Sequence, residues 1–152
     1  MIWLAVLRNY FSWFAAANLV WETAHVPLYT IWTEGSAAKI TFAILHCTGG
    51  DLLIGGASLL GALLLCGNSR WPEQRYWTVA ALTILAGFTY TVYSEWHNTL
   101  VSGSWAYSGL MPIIPGTSIG LSPIAQWFVI PLSAFVWSRW REHQIKRPQA
   151  ET

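Results

Sequence analysis

The chain has 152 residues, of which 54% are hydrophobic and only 10% are charged, and its formal net charge is +1. Such a composition leaves too little polar surface to coat a soluble globule, so it predicts a polytopic membrane protein with a single domain. The small net charge and the lack of a basic stripe in the sequence exclude nucleic acid as a partner.

Four apolar segments of helical length divide the chain and predict an all-α integral membrane bundle of four transmembrane helices. The segments cover about 3–32, 39–66, 76–95 and 121–140, and a polar tail follows at 141–152. Because an α-helix rises 1.5 Å per residue, each segment can cross a hydrocarbon core of about 30 Å.

The first segment carries a polar face. Asn18, Glu22 and His25 stand at i, i+4 and i+7, so they share one side of the helix. Glu22 and His25 also form a Glu-x-x-His motif, which occurs in di-iron bundles. Those bundles need two such helices and this chain offers one, so the motif indicates a metal only weakly.

The second segment has a polar block, His46 to Asp51, in its middle. Imidazole and carboxylate groups are costly in lipid, so they usually face a bundle interior or a wet cavity and mark function. Small residues follow the alternating four-then-three spacing of a helix-packing seam: Ala43, Cys47, Gly50, Ile54, Ala57 and Gly61. We therefore expect this seam to face neighbouring helices, with His46 and Asp51 flanking it.

A long connection separates the third and fourth segments. Residues 97–119 contain no lysine, arginine or carboxylate. Trp105 and Tyr107 combine an apolar body with a polar tip, which favours a compact, structured loop that covers the bundle as a lid. Ser122 as N-cap and Pro123 at the first helical position predict the start of the fourth helix.

Positive charge predicts the orientation in the membrane. The N-terminus, the middle loop and the tail hold seven cationic residues: Arg8, Arg70, Arg75, Arg139, Arg141, Lys146 and Arg147. Lys39 alone lies on the opposite side. The positive-inside rule then places both termini in the cytoplasm and the chain in the cell inner membrane.

With this topology the polar groups converge in the outer half of the bundle, under the loop. Asp51, His46 and Glu95 are the candidate acid and base groups. The predicted pocket also includes Glu22, His25, Asn98, Trp105 and Tyr107. We expect Trp105 to be largely buried over the helix ends, and Glu95 to reach a donor on the loop or on the first helix.

Several segments carry a family resemblance: Trp21-Glu22 with Pro27-Leu28-Tyr29, His46 to Asp51, Tyr90 to Asn98, Ser104 to Pro112, and Gly120 to Trp127. In these the chain resembles small bacterial multi-pass membrane proteins of unassigned function, a likeness that implies a fold but no reaction. It is more distantly similar to the emopamil-binding sterol isomerase family, whose helices place His, Glu, Asn and Trp in a membrane cavity for a lipid substrate. Span number and motif spacing depart from that family, so no residue role is transferred.

Three functions fit these observations. The first is an accessory or assembly role without catalysis, because topology does not dictate function. The second is a membrane enzyme that performs acid–base chemistry on a lipophilic small molecule. The third is a metal or haem site, since imidazole and thiolate suit copper, zinc or iron, with the ligands His25, His46, Cys47 and His97. The sequence names no substrate, cofactor or oligomeric state.

Overall fold

The structure, a computed structural model, describes residues 2–146. Its helices are α1 Ile2–His25, α2 Ile31–Glu34, α3 Ala37–Cys66, α4 Tyr76–Trp96 and α5 Leu121–Lys146, with a 3-10 turn Val26–Leu28 after α1 and a π-helical turn His97–Val101 after α4. This described part contains no strand, only isolated β-bridges between Tyr29 and Tyr107 and between Ile113 and Gly120. The all-α prediction is confirmed.

The four long helices surround one interior. Both α1 and α4 pack against α3 and against α5. The start of α1, the end of α5 and the loop 67–75 lie at one end of the bundle, which we call the terminal end. The loop 97–120 and α2 lie at the opposite end, which we call the loop end.

Two of the predicted segment bounds differ from the helices. The first segment, 3–32, is not one helix, because α1 ends at His25. Pro27 explains this break, since proline lacks an N–H and disfavours helical geometry in the residue before it. The last helix continues past 140 to Lys146, so the predicted tail starts as helix. Its remainder, 147–152, lies outside the described residues.

The predicted N-cap of the fourth helix is wrong. The helix α5 begins at Leu121, so Ser122 lies inside its first turn. The Leu121 N–H donates to the Pro112 carbonyl oxygen at 2.7 Å. The Ser122 hydroxyl is therefore available for a contact outside its own helix, and its oxygen lies 3.0 Å from Nδ1 of His25.

The predicted packing seam of α3 is displaced. A Cβ added at Gly50 or Gly61 would meet nothing within 4 Å, so neither position contacts another helix closely. Gly55 instead receives the ring of Phe14, whose Cε1 would lie 2.6 Å from an added Cβ. The close contact between α1 and α3 therefore runs along the neighbouring face of α3.

An aromatic core fills the terminal half of the bundle. The rings of Tyr10 and Phe135 lie 4.6 Å apart between centroids, and the Tyr76 hydroxyl donates to the Phe135 carbonyl oxygen at 2.7 Å. Nearer the loop end, Trp127 lies directly over Gly87, where an added Cβ would be 2.0 Å from the ring. These contacts join α1, α4 and α5 and fix the wall on which the site is built.

Apolar side chains face outward over much of the molecule. Two helices within residues 2–146, Ala37–Cys66 and Leu121–Gln144, are long and apolar enough to cross a membrane. The core helix of a soluble protein can have the same length and composition, but it is mostly buried. Only 17% of the most apolar stretch of α3 is buried, so α3 is not such a core helix. This exposure indicates association with a membrane.

Candidate functional site

A cavity of about 1030 Å³ lies at the loop end, between α3, α4, α5 and the end of α1. Eight of the ten residues predicted from the sequence line it: Glu22, His25, His46, Cys47, Asp51, Glu95, Asn98 and Trp105. The structure therefore gathers most of the predicted polar residues around one space.

The helix ends explain why these residues meet. Glu22 and His25 lie on the last turn of α1, and Glu95 lies on the last turn of α4. Asp51 lies at the middle of α3, which with 30 residues is the longest helix and extends further along the bundle. The cavity is thus lined by the ends of α1 and α4, the first half of α3 and the start of α5, and small residues such as Gly50 leave room in it.

Gln126 of α5 is the central hydrogen-bond donor of the site. Its Nε2 lies 2.9 Å from Oδ1 of Asn18, 2.9 Å from Oε1 of Glu22 and 2.8 Å from Oδ2 of Asp51. The amide of Asn18 donates to the Phe14 carbonyl oxygen at 2.8 Å, which fixes its Oδ1 as an acceptor. Because Nε2 carries two hydrogens, one remains for the two carboxyl oxygens.

The carboxyl groups of Glu22 and Asp51 form a pair. Oε1 of Glu22 and Oδ2 of Asp51 both lie within 2.9 Å of Nε2 of Gln126, so the two groups are neighbours. A carboxylic acid donates a proton and a carboxylate accepts one, so neighbouring carboxyl groups can supply both an acid and a base.

His25 joins this pair to the start of α5. Its Nε2 lies 3.1 Å from Oε2 of Glu22, and its Nδ1 lies 3.0 Å from Oγ of Ser122. The ring also packs against Tyr29, with 5.4 Å between the ring centroids. Both ring nitrogens are therefore engaged, so the orientation of the imidazole is fixed.

Glu95 is held from the loop side. The Tyr107 hydroxyl donates to Oε2 of Glu95 and accepts from the Gly120 N–H, the latter at 3.0 Å. The prediction that Glu95 reaches a loop donor is confirmed. Burial, and then its bond to Glu95, raise the pKa of Tyr107, so the phenol stays protonated and remains a donor.

Two aromatic residues of the loop stand next to the predicted pocket. Tyr107 is not among the described residues that line the cavity, and it reaches the pocket through its bond to Glu95. Trp105 lines the cavity and is partly buried, and its indole Nε1 is shielded from solvent. The indole Nε1 lies near the Glu95 carboxyl group. It makes no hydrogen bond to any residue that the structure describes.

The loop is anchored on the segment between α1 and α3. The Thr30 N–H donates to the Ala106 carbonyl oxygen at 3.0 Å, and the Ser108 N–H donates to the Leu28 carbonyl oxygen at 2.8 Å. Tyr29 packs against Tyr107 with 5.4 Å between ring centroids. Burial is the main cause of the raised pKa of Tyr29. The loop is thus structured, and it covers the cavity as a lid.

The other two histidines of the predicted metal set pack against aromatic rings. His46 is exposed and stacks on Phe42, with 5.4 Å between centroids. His97 packs on Tyr93 at 5.9 Å and is not among the described residues that line the cavity. Within residues 2–146 no group of three or more His, Cys, Asp or Glu side chains is arranged to hold a metal ion. The structure does not bring the four predicted ligands into one set: His25, His46, Cys47 and His97.

Gln126 and the contact of Ser122 with His25 were not predicted from the sequence. Gln126 could have been found, because a lone amide in an apolar segment usually faces a bundle interior. Ser122 was misassigned because serine before proline at the start of an apolar run is typical of an N-cap.

Comparison with protein-family models, with curated protein sequences and with solved structures finds no match to this chain. The resemblance to small bacterial membrane proteins stays a prediction. The function of the site therefore has to be inferred from its geometry.

Proposed function

We propose that the chain is a multi-pass inner-membrane protein, crossing the bilayer with α1, α3, α4 and α5, and that it catalyses proton transfer on a lipophilic substrate. One observation carries the proposal. Carboxyl groups from three helices, Glu22, Asp51 and Glu95, line a single cavity of about 1030 Å³.

The dimensions and surfaces of α1 and α4 support four spans. With 24 and 21 residues they are about 36 and 32 Å long, which suits a hydrocarbon core of about 30 Å. Both expose apolar side chains, for example Val20 at 69% and Leu85 at 59%. The excess of cationic residues at the terminal end supports cytoplasmic termini. The cavity would then lie in the outer half of the membrane.

The opening of the cavity supports a lipophilic substrate. Phe42 of α3 and Tyr90 of α4 line the cavity and are 67% and 49% exposed. In a bilayer, a cavity bordered by such exposed aromatic side chains would be accessible from the acyl chains, so a molecule dissolved in the membrane could enter it. The volume is at the upper end of the range of about 300–1,000 Å³ that is usual for small-molecule sites.

The carboxyl groups supply the chemistry. A carboxylic acid can protonate one atom of a bound substrate while a neighbouring carboxylate removes a proton from another, which is an isomerisation in its simplest form. Positioned acid–base groups contribute about 10²–10⁴ to a rate. Burying a carboxyl group in a membrane protein is energetically costly, so carboxyl groups found there usually have a function.

Filling the cavity tests whether a ligand binds there. Gly50 lines the cavity and Gly49 does not, and an added Cβ meets nothing within 4 Å at either position. Gly50→Leu and Gly49→Leu therefore form a matched pair on the same helix. We expect mass spectrometry in mild detergent to find a lipophilic molecule on the wild type and on Gly49→Leu, but not on Gly50→Leu. Equal retention by the two variants would reject the site, and no bound molecule at all would favour the accessory role.

Deuterium uptake tests the chemical step. We expect the molecule that co-purifies with the protein to exchange carbon-bound hydrogen for deuterium in D₂O. Asp51→Asn preserves the shape of the side chain but cannot carry a transferable proton, so the exchange should slow by about 10² or more. Retention of a bound molecule without carbon exchange in the wild type would show binding without catalysis.

A further inference from the structure

We propose that Ser122 and His25 form a proton path from the loop end of the bundle to the carboxyl pair of Glu22 and Asp51. The path would exchange protons between the pair and solvent while a ligand is bound. This inference rests on the proposed function, because the acid–base step moves protons through the pair.

The path is a continuous series of hydrogen-bond contacts. Oγ of Ser122 lies 3.0 Å from Nδ1 of His25, and Nε2 of His25 lies 3.1 Å from Oε2 of Glu22. The carboxyl oxygens of Glu22 and Asp51 lie 2.9 and 2.8 Å from the same nitrogen, Nε2 of Gln126, which places the two groups side by side. Hydroxyl, imidazole and carboxyl groups can each accept a proton at one atom and release one from another, which a proton relay requires.

The burial of the members gives the path a direction. Ser122 is partly exposed and stands outside the described set of cavity-lining residues, whereas His25 is buried and does line the cavity. The imidazole therefore separates a hydroxyl at the surface of the loop end from the cavity interior. A proton can reach Glu22 along this route without crossing the ligand space.

A bound lipophilic molecule leaves such a route as the way by which the carboxyl pair can exchange protons with solvent. It displaces water from the cavity, so the carboxyl pair loses direct contact with solvent protons. In one passage, a hydronium ion at the loop end protonates the Ser122 oxygen and becomes water, the Ser122 hydroxyl proton moves to Nδ1 of His25, and the proton on Nε2 moves to the Glu22 carboxylate. One proton is transferred and no net charge stays on Ser122 or His25. The imidazole then carries its proton on Nδ1, and proton exchange with solvent restores the Nε2–H form.

The other groups that face His25 are compatible with this role. Glu22 comes from its own helix, Glu95 from α4, Tyr29 from the connector and Ser122 from α5. The two carboxyl groups stabilise positive charge on the ring during a transfer. Among the described residues, Ser122 can thus donate to one side of the His25 ring, and the carboxyl groups of Glu22 and Glu95 can accept on the other.

Infrared spectroscopy of the buried carboxyl groups tests the path. Protein in phosphatidylcholine nanodiscs, with decane added to fill the cavity, is moved into D₂O, and the carboxylic C=O band is followed as it shifts. The band is assigned by its loss in Asp51→Asn. We expect the exchange to slow roughly tenfold or more in His25→Phe and in Ser122→Ala, and to keep the wild-type rate in His97→Phe, the control histidine.

Two variants are used because one of them could fail to fold. Ser122→Ala removes one hydroxyl outside the cavity, so it reports on the path even where His25→Phe fails to fold. Wild-type exchange rates in Ser122→Ala, with the cavity filled by decane, would overturn the proposal. The measurement uses no substrate, so an intact path with no ligand binding would reject the proposed function alone.

Discussion

The contact between Gly87 and Trp127 provides a test of the wall behind the cavity. In Gly87→Ala the new Cβ would lie 2.0 Å from Cζ3 and 2.2 Å from Cε3 of Trp127, where ordinary contacts are 3.4–4 Å. Trp127 is buried, so the ring cannot rotate away and a helix has to shift. Overpacking typically costs about 1–3 kcal/mol, and this overlap points to the upper part of that range. The gain in helix propensity from glycine to alanine offsets about 1 kcal/mol.

We therefore expect Gly87→Ala to lose about 2 kcal/mol of unfolding free energy, measured in detergent by circular dichroism. Gly61→Ala is the matched control, because it has the same helix propensity gain and an added Cβ there meets nothing within 4 Å. Gly61→Ala should be unchanged or up to about 1 kcal/mol more stable. Equal stability of the two variants would show that Trp127 does not lie against α4, and would refute this description of the cavity wall.

Three further predictions address topology, the carboxyl pair and the loop. A reporter enzyme that is active only outside the cytoplasm should work at Gly103 and fail at the C-terminus, and the reverse pattern would reject the orientation. Asp51→Asn should unfold like the wild type, whereas Asp51→Leu should lose about 1–3 kcal/mol because a branched apolar side chain has to be packed against the polar groups of Glu22 and Gln126; equal unfolding of both would contradict this. Burial raises the pKa of Tyr107, so its contribution to stability is complete below pH about 10 and is lost as the pH rises through the raised value. Tyr107→Phe should reduce this alkaline loss, and an unchanged pH profile of unfolding would refute it.

The sequence predicted the inward-facing side of α1 correctly. Asn18, Glu22 and His25 recur at helical spacing in an apolar segment, and all three are buried. The physical reason is strong, since exposing a carboxylate and an imidazole to lipid is expensive. The same cost predicted that Asp51 and Glu95 would turn toward a common interior, and both line the cavity.

The packing face of α3 could not be predicted in the same way. Small residues occur on two neighbouring faces of this helix, so small size alone does not choose between them. The buried positions are Thr48, Gly55, Leu59 and Ala62. They lie one residue beyond the predicted seam at several points, which is a rotation of about 100° around the helix. The choice depends on partners such as Phe14, which come from another part of the chain.

The partners of the carboxyl groups favour proton transfer over a structural ion pair. At the terminal end, Arg139 contacts Glu142 at 2.7 Å, and a guanidinium keeps a carboxyl group ionised. In the cavity, Asp51 and Glu95 have neutral donors, the Gln126 amide and the Tyr107 phenol. A neutral donor orients a carboxyl group without fixing its charge, so the group can still take up or release a proton. This difference within one molecule is what the acid–base proposal requires.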